Sequence, residues 1–208
     1  GVIGKVTEKQ NEYLSQIYTI NERMIKLVFD MLSVLRLESE TAGIKLEPIS
    51  VQESYKDIPL LTETAAKARG ISIQNVMKNH ETLVIETDKE FLKTILDCFI
   101  SNAINYSDSG QEIKLDVKEE TDAVVFSTED QGIGIPKKEQ GRIFERFYRA
   151  SNAKKMKPEG TGLGLYIASM LANKIGAKIS FESEEGKGTT FYLRVPKKVD
   201  NHINSNPQ

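Results

Sequence analysis

Three groups of residues stand at spacings that let them meet one ligand. Cys98, Asn102 and Asn105 are separated by four and three positions, so on a helix they project from one face. Asparagine is a poor helix former. Its amide oxygen at position 102 can coordinate Mg²⁺, a hard cation that takes oxygen ligands and bridges phosphates, or it can make a structural hydrogen bond. Asp130 opens the run Asp-Gln-Gly-Ile-Gly-Ile-Pro over residues 130–136. A carboxylate there can accept a hydrogen bond from the exocyclic amine of a planar base, which Gly132 and Gly134 let approach, or it can close an Asx turn. Gly160-Thr161-Gly162-Leu163-Gly164-Leu165 leads into an apolar stretch. The free N–H groups and positive dipole end of a helix beginning there suit a phosphate. Half of the 14 glycines lie in these two runs and in Gly186-Lys187-Gly188. Neither the Gly-Lys-Ser/Thr ending of a Walker loop nor the G-x-G-x-x-G spacing of a Rossmann turn is present.

Between the glycine runs, residues 142–159 carry six cations (Arg142, Arg146, Arg149, Lys154, Lys155 and Lys157) against Glu145 and Glu159, a net charge of +4. Such a loop can close over a polyphosphate, or it can be solvated surface.

The elements that must position these groups can be read from periodicity. Residues 6–39 contain neither Gly nor Pro, and Leu14, Ile17, Met24, Val28, Met31 and Leu35 recur at three- and four-residue spacings with Asn21 in the polar slot. This predicts one long helix. Its apolar face also takes in Ile20, Leu27, Leu32 and Val34, wider than one neighbour covers, which favours an intermolecular bundle over packing on a globular core. The helix is expected to end near residues 41–43, with Gly43 at C′. Residues 44–49 read as a strand, and Ser50 with Glu53 as a capping box for a helix reaching about Gly70. Residues 71–77 and 82–87 alternate like strands, and Asp88 caps a helix through about Tyr106. A hairpin over 113–117 and 124–128, a helix over 162–175 and strands at 178–182 and 189–195 complete an α+β chain, an α/β sandwich with a mixed, largely antiparallel sheet. Residues 1–42 read as one domain, 43–197 as a second and 198–208 as a disordered polar tail.

Composition narrows the classes. With 208 residues, 39% of them hydrophobic, 28% charged and a net charge of −2, the chain resembles a soluble globular protein without the polycationic character of a nucleic-acid binder. Its single cysteine excludes an intrachain disulfide and favours the cytosolic side. No apolar run approaches the roughly 20 residues that span a bilayer, so a membrane tether is expected only outside this chain. A first residue that is Gly rather than Met is expected of a piece of a longer protein.

These residues together resemble the catalytic region of a sensor histidine kinase of two-component signalling, within the wider gyrase, Hsp90, histidine kinase and MutL ATPase superfamily. Residues 101–107 (Ser-Asn-Ala-Ile-Asn-Tyr-Ser) resemble its N box, and residues 130–136 its D-x-G-x-G-I-P box. Residues 142–149 (Arg-Ile-Phe-Glu-Arg-Phe-Tyr-Arg) resemble its F box, residues 160–165 its G-T-G-L-G-L box, and Gly186-x-Gly188-Thr189-x-Phe191 its closing strand. The resemblance implies a Bergerat-type ATP-binding fold with a flexible lid over residues 147–159, preceded by the second helix of a dimerisation and phosphotransfer bundle. It implies that Asn102 ligates Mg²⁺, that Asp130 binds the adenine amine with support from Thr189, and that Gly132, Gly134 and Ile135 shape the base pocket. Tyr106 then flanks the base, while Tyr148, Arg149 and Asn105 lie near the nucleotide. Arg149 reaches its phosphates, which Gly160, Thr161, Gly162, Leu163, Gly164 and Leu165 line. Implied partners are ATP or ADP, a response-regulator receiver domain and a second copy joined through the helix bundle, with no nucleic acid.

Three departures from the family pattern stand out. Cys98 occupies a place where the family usually has Asn, and Asn105 one where it often has a phosphate-contacting Lys. No H box is present: His80 lacks its Arg-x-Pro context and His202 lies in the tail. The acceptor helix is therefore expected to precede Gly1, and this chain alone is not expected to phosphorylate itself. A degenerate ATP-binding interaction module is the alternative. Hydrolysis of the gyrase, Hsp90 or MutL type needs a catalytic Glu where this chain has Cys98.

Overall fold

The computed structural model of the chain describes residues 4, 6–39, 43–56, 60–76 and 83–198. A long helix comes first, α1 (Glu8–Glu38). Thr7 starts it through a capping box, its hydroxyl accepting from Gln10 N while Gln10 Oε1 accepts from Thr7 N. It stops at Ser39, whose N–H donates to Leu35 O and whose hydroxyl donates to Arg36 O. Gly43, expected at C′, therefore lies beyond the helix, and residues 40–42 are outside the described residues.

The rest follows as β1 (Glu47–Ser50), α2 (Val51–Lys56), α3 (Leu60–Ala68), β2 (Ser72–Asn75), β3 (Val84–Thr87), α4 (Lys89–Tyr106), β4 (Glu112–Glu119), β5 (Ala123–Asp130), a 3-10 turn (Gln140–Arg142), α5 (Ser151–Met156), α6 (Gly164–Lys174), β6 (Lys178–Glu184) and β7 (Gly188–Pro196). Five strands form one sheet in the order β2-β4-β5-β7-β6, with β2 parallel to β4 and every other pair antiparallel. β1 and β3 pair separately. The sheet is thus mixed and largely antiparallel, as the pairing of sequence-adjacent strands predicts.

Alternation decides which face is dry. Ile113, Leu115 and Val117 of β4, Val124 and Phe126 of β5, and Phe191, Leu193 and Val195 of β7 are buried, while Lys114, Asp116, Tyr192 and Arg194 point the other way. α3, α4 and α6 cover the dry face. α4 buries Leu92, Ile95, Leu96, Phe99 and Ile100, and the Phe99 ring stacks on Phe191 at 5.0 Å between centroids. Phe191 continues to Phe181 at 5.8 Å and Phe181 to Phe144 at 6.0 Å, so one aromatic ladder joins α4, the sheet and the F-box segment.

Local details depart from the periodicity reading. The strand expected over 44–49 begins only at Glu47, because Lys45 N donates to Asp88 Oδ2 (2.9 Å) instead of a strand partner. Asp88 Oδ1 meanwhile accepts from Phe91 N (3.0 Å) and caps α4, as expected. The helix expected from Ser50 to Gly70 is two helices, with 57–59 outside the described residues, as is the side chain of Glu53. Ser50 closes β1, and Val51 N donates to Leu83 O. The ends of the strands expected to include Met77 and Thr82, and His80, His202 and the tail from 199, also fall outside.

α1 does not stand apart. Val34 and Leu37 are buried and pack with the core, Glu38 pairs with Arg146, and Asp30 accepts from Thr161 Oγ1 (2.9 Å). Val34, assigned by periodicity to the wide bundle face, thus serves the chain's own core. The other face, with Leu14, Ile17, Ile20, Met24, Val28 and Leu35, is exposed. No helix among the described residues is long and apolar enough to cross a membrane.

Phe99 ties α4 to the sheet with no solvent exposure. Its replacement by Ala is expected to cost about 3–5 kcal/mol of folding stability, read as a lowered denaturation midpoint in urea. A loss under about 1 kcal/mol would show that the aromatic ladder does not hold the two layers together.

Candidate functional site

One cleft of about 700 Å³ lies between α4, the end of β5, the segment over residues 142–160, the start of α6, and α1. The spacing of the sequence motifs brings most of the predicted site residues to it. Asn102, Asn105, Tyr106, Asp130, Gly134, Ile135, Tyr148, Arg149, Gly160, Thr161, Gly162, Gly164, Leu165 and Thr189 all line it. Gly132 and Leu163 do not. Gly132 packs under the backbone of Tyr106, where an added Cβ would stand 2.1 Å from the carbonyl oxygen, and the Leu163 side chain is buried in the core.

Asp130 ends β5 opposite Thr189 on β7. Its Oδ1 accepts from Gly132 N (2.9 Å) and Thr189 N (3.1 Å), so an Asx turn and a cross-strand bond share one oxygen. Oδ2 accepts no hydrogen bond among the described residues. Burial pushes the carboxyl up to about 6, only partly offset by the two N–H donors. Thr189 Oγ1 lies 2.9 Å from Ser183 Oγ, and Ser183 Oγ accepts from Ile135 N (2.8 Å), so the wall around Asp130 is cross-linked by hydroxyls.

On α4, Asn102 Nδ2 contacts Cys98 Sγ at 3.8 Å, and Asn102 Oδ1 has no partner among the described residues. Burial pushes the Cys98 thiol up to about 12, against the pull of Lys26, so the thiol stays protonated at neutral pH. Asn102 offers one free oxygen. No group of three or more His, Cys, Asp or Glu side chains that could cage a metal occurs among the described residues. A cation held here would draw its other ligands from phosphate oxygens and water, which is how Mg²⁺ is usually bound.

The segment expected as a flexible basic lid over 147–159 is partly helical. It contains a short helix, α5, whose first N–H and hydroxyl, those of Ser151, donate to Glu139 twelve residues earlier (2.7 and 2.8 Å). Asn152 Nδ2 donates to Gly134 O (2.9 Å), fastening α5 to the second glycine of the Asp130 run. Arg149, expected to reach phosphates, turns inward. Its Nη1 donates to Pro158 O and Gly160 O and its Nη2 to Ala153 O and Lys157 O, making it the internal brace of the lid. A planar fork of donors suits a ring of carbonyls as well as it suits phosphate, so residue type alone does not decide between them. Gly162, with φ +73°, carries the chain past this brace; a Cβ there would lie 2.7 Å from Phe147 C. α6 then starts at Gly164 without a side-chain cap on Leu163, although Thr161 Oγ1 accepts from Leu163 N at 3.4 Å.

Several cleft residues were not legible from the motifs. Asn152, on the helix that Glu139 caps from outside the cleft, acts through contacts 18 and 19 residues away in an irregular segment. Thr19, Glu22, Arg23, Lys26 and Asp30 reach the cleft from α1, whose periodic pattern signalled only packing. The polar side of that helix carried the information, as Lys26 and Asp30 stand at i, i+4 beside Arg23.

Residues 87–199 match the family model of the histidine kinase-, DNA gyrase B- and HSP90-like ATPases. The chain is 37% identical over 181 residues to the sensor histidine kinase WalK of Bacillus subtilis, covering 86% of this chain and 29% of WalK. It is 30% identical over 197 residues to the circadian input-output histidine kinase CikA of Synechococcus elongatus, covering 94% of this chain and 26% of CikA. It thus spans less than a third of either relative. The structure superposes on full-length ShkA in complex with AMPPNP with a TM-score of 0.75 at 25% identity, over 95% of this chain and 41% of ShkA.

Because the folded-state carboxyl of Asp130 titrates above the usual carboxylate range, its contribution to stability is present in full below about pH 4 and is lost as the pH rises through about 6. Asn at 130 keeps an oxygen for the two N–H donors without the buried charge. Asp130→Asn is therefore expected to be more stable than the parent at pH 8, by on the order of 1–2 kcal/mol, with the difference closing at pH 4. Thermal melts at the two pH values check this, and a variant less stable at pH 8 would mean that the ionised form is favoured by the fold.

Proposed function

Because this chain belongs to the histidine kinase-, DNA gyrase B- and HSP90-like ATPase family, we propose that its cleft binds ATP and that it serves as the catalytic part of a sensor histidine kinase. The observation that carries the reading is the open Oδ2 of the buried Asp130, placed to accept from the amine of adenine while Oδ1 holds the pocket wall through Gly132 and Thr189. Tyr106, Gly134, Ile135 and Tyr148 bound the base. The residues around the start of α6 face the phosphates, where its free N–H groups and dipole stabilise negative charge.

Asn102 Oδ1 is the protein's ligand for Mg²⁺, which when bound neutralises charge on the polyphosphate. The chain's own share of catalysis is positioning and electrostatic stabilisation of the γ-phosphoryl group. The receiving group is a histidine other than His80 and His202, on a bundle helix against α1, and a response-regulator aspartate takes the phosphoryl next. The exposed row Leu14, Ile17, Ile20, Met24, Val28 and Leu35 supplies the surface for a second copy. The single, half-buried cysteine fits a cytoplasmic site of action.

Calorimetry tests the reading. ATP and ADP are expected to bind and GTP, which presents a carbonyl where adenine presents an amine, to bind far more weakly. Equal affinity for ATP and GTP would remove Asp130 from the base pocket. Affinity for ATP is expected to fall below about pH 6 as Asp130 takes up a proton, and to be low at every pH in Asp130→Asn. Incubated alone with γ-³²P-ATP, this chain is expected to take up no label; label on it would identify an acceptor within these 208 residues.

A further inference from the structure

Lys157 is the lid cation with the most unusual surroundings. Its ammonium reaches across the cleft to Asn105 Oδ1 on α4 at 2.5 Å, 52 residues away in sequence. Asn105 is oriented for this contact, because its Nδ2 donates to Ser101 Oγ (3.3 Å) one turn earlier and so turns Oδ1 toward the lid. No carboxylate stands within ion-pair distance of Lys157 Nζ among the described residues. An ammonium has three protons to donate, and an amide oxygen takes one. Three further cations, Lys26 of α1, Arg69 and Arg149, bear on the same place, with Glu159 as the opposing charge. Arg149 donates to four lid carbonyls and Arg69 Nη2 to Ser107 O (3.3 Å), whereas Lys157 is held by one amide oxygen, keeps further protons to donate and lines the cleft together with Lys26. Burial and these neighbours together push the Lys157 ammonium below its ordinary range, as expected of a cation cluster that lacks its anion.

We propose that Lys157, held in place by Asn105, is the residue that contacts the polyphosphate of the bound nucleotide, supplying from the lid the positive charge that α4 lacks at position 105. Lys26 adds charge to the same end of the cleft from α1. The inference rests on the ATP-binding reading above and specifies which side chain meets the phosphates. It also separates the lid's two cationic roles: Arg149 holds the lid in shape, and Lys157 faces the ligand.

The test is titration of the 208-residue chain and its Lys157→Gln, Lys157→Arg and Lys157→Gln/Asn105→Lys variants with ATP and with adenosine, each variant first checked by thermal melting. Lys157→Gln is expected to weaken ATP binding about tenfold, the scale of one charge-assisted hydrogen bond, while adenosine affinity stays unchanged. Lys157→Arg keeps most of the affinity. Moving the cation to α4 in the double variant restores it, which a purely structural Lys157–Asn105 contact would not allow. Equal losses for ATP and adenosine, or an ATP affinity that Lys157→Gln leaves intact, overturn the inference while leaving the ATP-binding reading standing. A parent chain that binds neither ligand overturns both.

Discussion

The carboxylate of Asp130 is the point on which the rest of the site depends. A charge held at 8% exposure is costly unless hydrogen-bonded, and the backbone around it is shaped to supply the bonds. β5 must end where it does, β7 must begin opposite it at Thr189, and the chain must turn at Gly132 to bring an N–H back to the same oxygen. At Gly188, one residue before Thr189, a Cβ would lie 2.0 Å from Asp130 O, so the close approach of the two strand ends is itself a condition of the arrangement. One oxygen organises protein, and the other accepts no hydrogen bond among the described residues. The structural and functional readings of this aspartate are therefore two halves of one side chain.

From that point the constraint spreads outward. Tyr106 O accepts from Ile133 N, which locks the C-terminal end of α4 to the Asp130 run and so sets the height of Asn102 and Asn105 relative to Asp130. Asn152 fastens α5 to Gly134, and Arg149 closes the far half of the lid on itself. The cleft is thus walled by segments tied by one or two directional bonds that span 18 to 59 residues of sequence, above the apolar core that α4, the sheet and the F-box segment share.

Much of this was legible in the residues. The cap at Asp88, the hairpin of β4 and β5 and the mixed sheet follow from periodicity and turn chemistry, and Asn102 with the glycine runs at 130–136 and 160–165 locates the cleft. What could not be read is physical in origin. Arg149 has donors that suit phosphates and carbonyls equally. α5 is capped by Glu139 from across a loop, and no local pattern encodes that. The breadth of the apolar face on α1 signalled a partner; of its added residues Val34 alone is buried in the chain's own core while Ile20, Leu27 and Leu32 stay exposed, and only tertiary packing distinguishes the two.

The contact between α1 and Thr161 has a consequence for how the helix and the ligand relate. A threonine hydroxyl carries a single proton, and here it goes to Asp30, while the oxygen accepts from Leu163 N. A phosphate oxygen arriving at the start of α6 can take that proton only if Asp30 gives it up. Helix and phosphate would then compete for one hydrogen atom, which would set occupancy of the cleft against the grip of α1 on its rim at the scale of a single bond. A 31-residue helix, about 46 Å long, thereby has one end of its docking surface written into the site where a phosphate would sit.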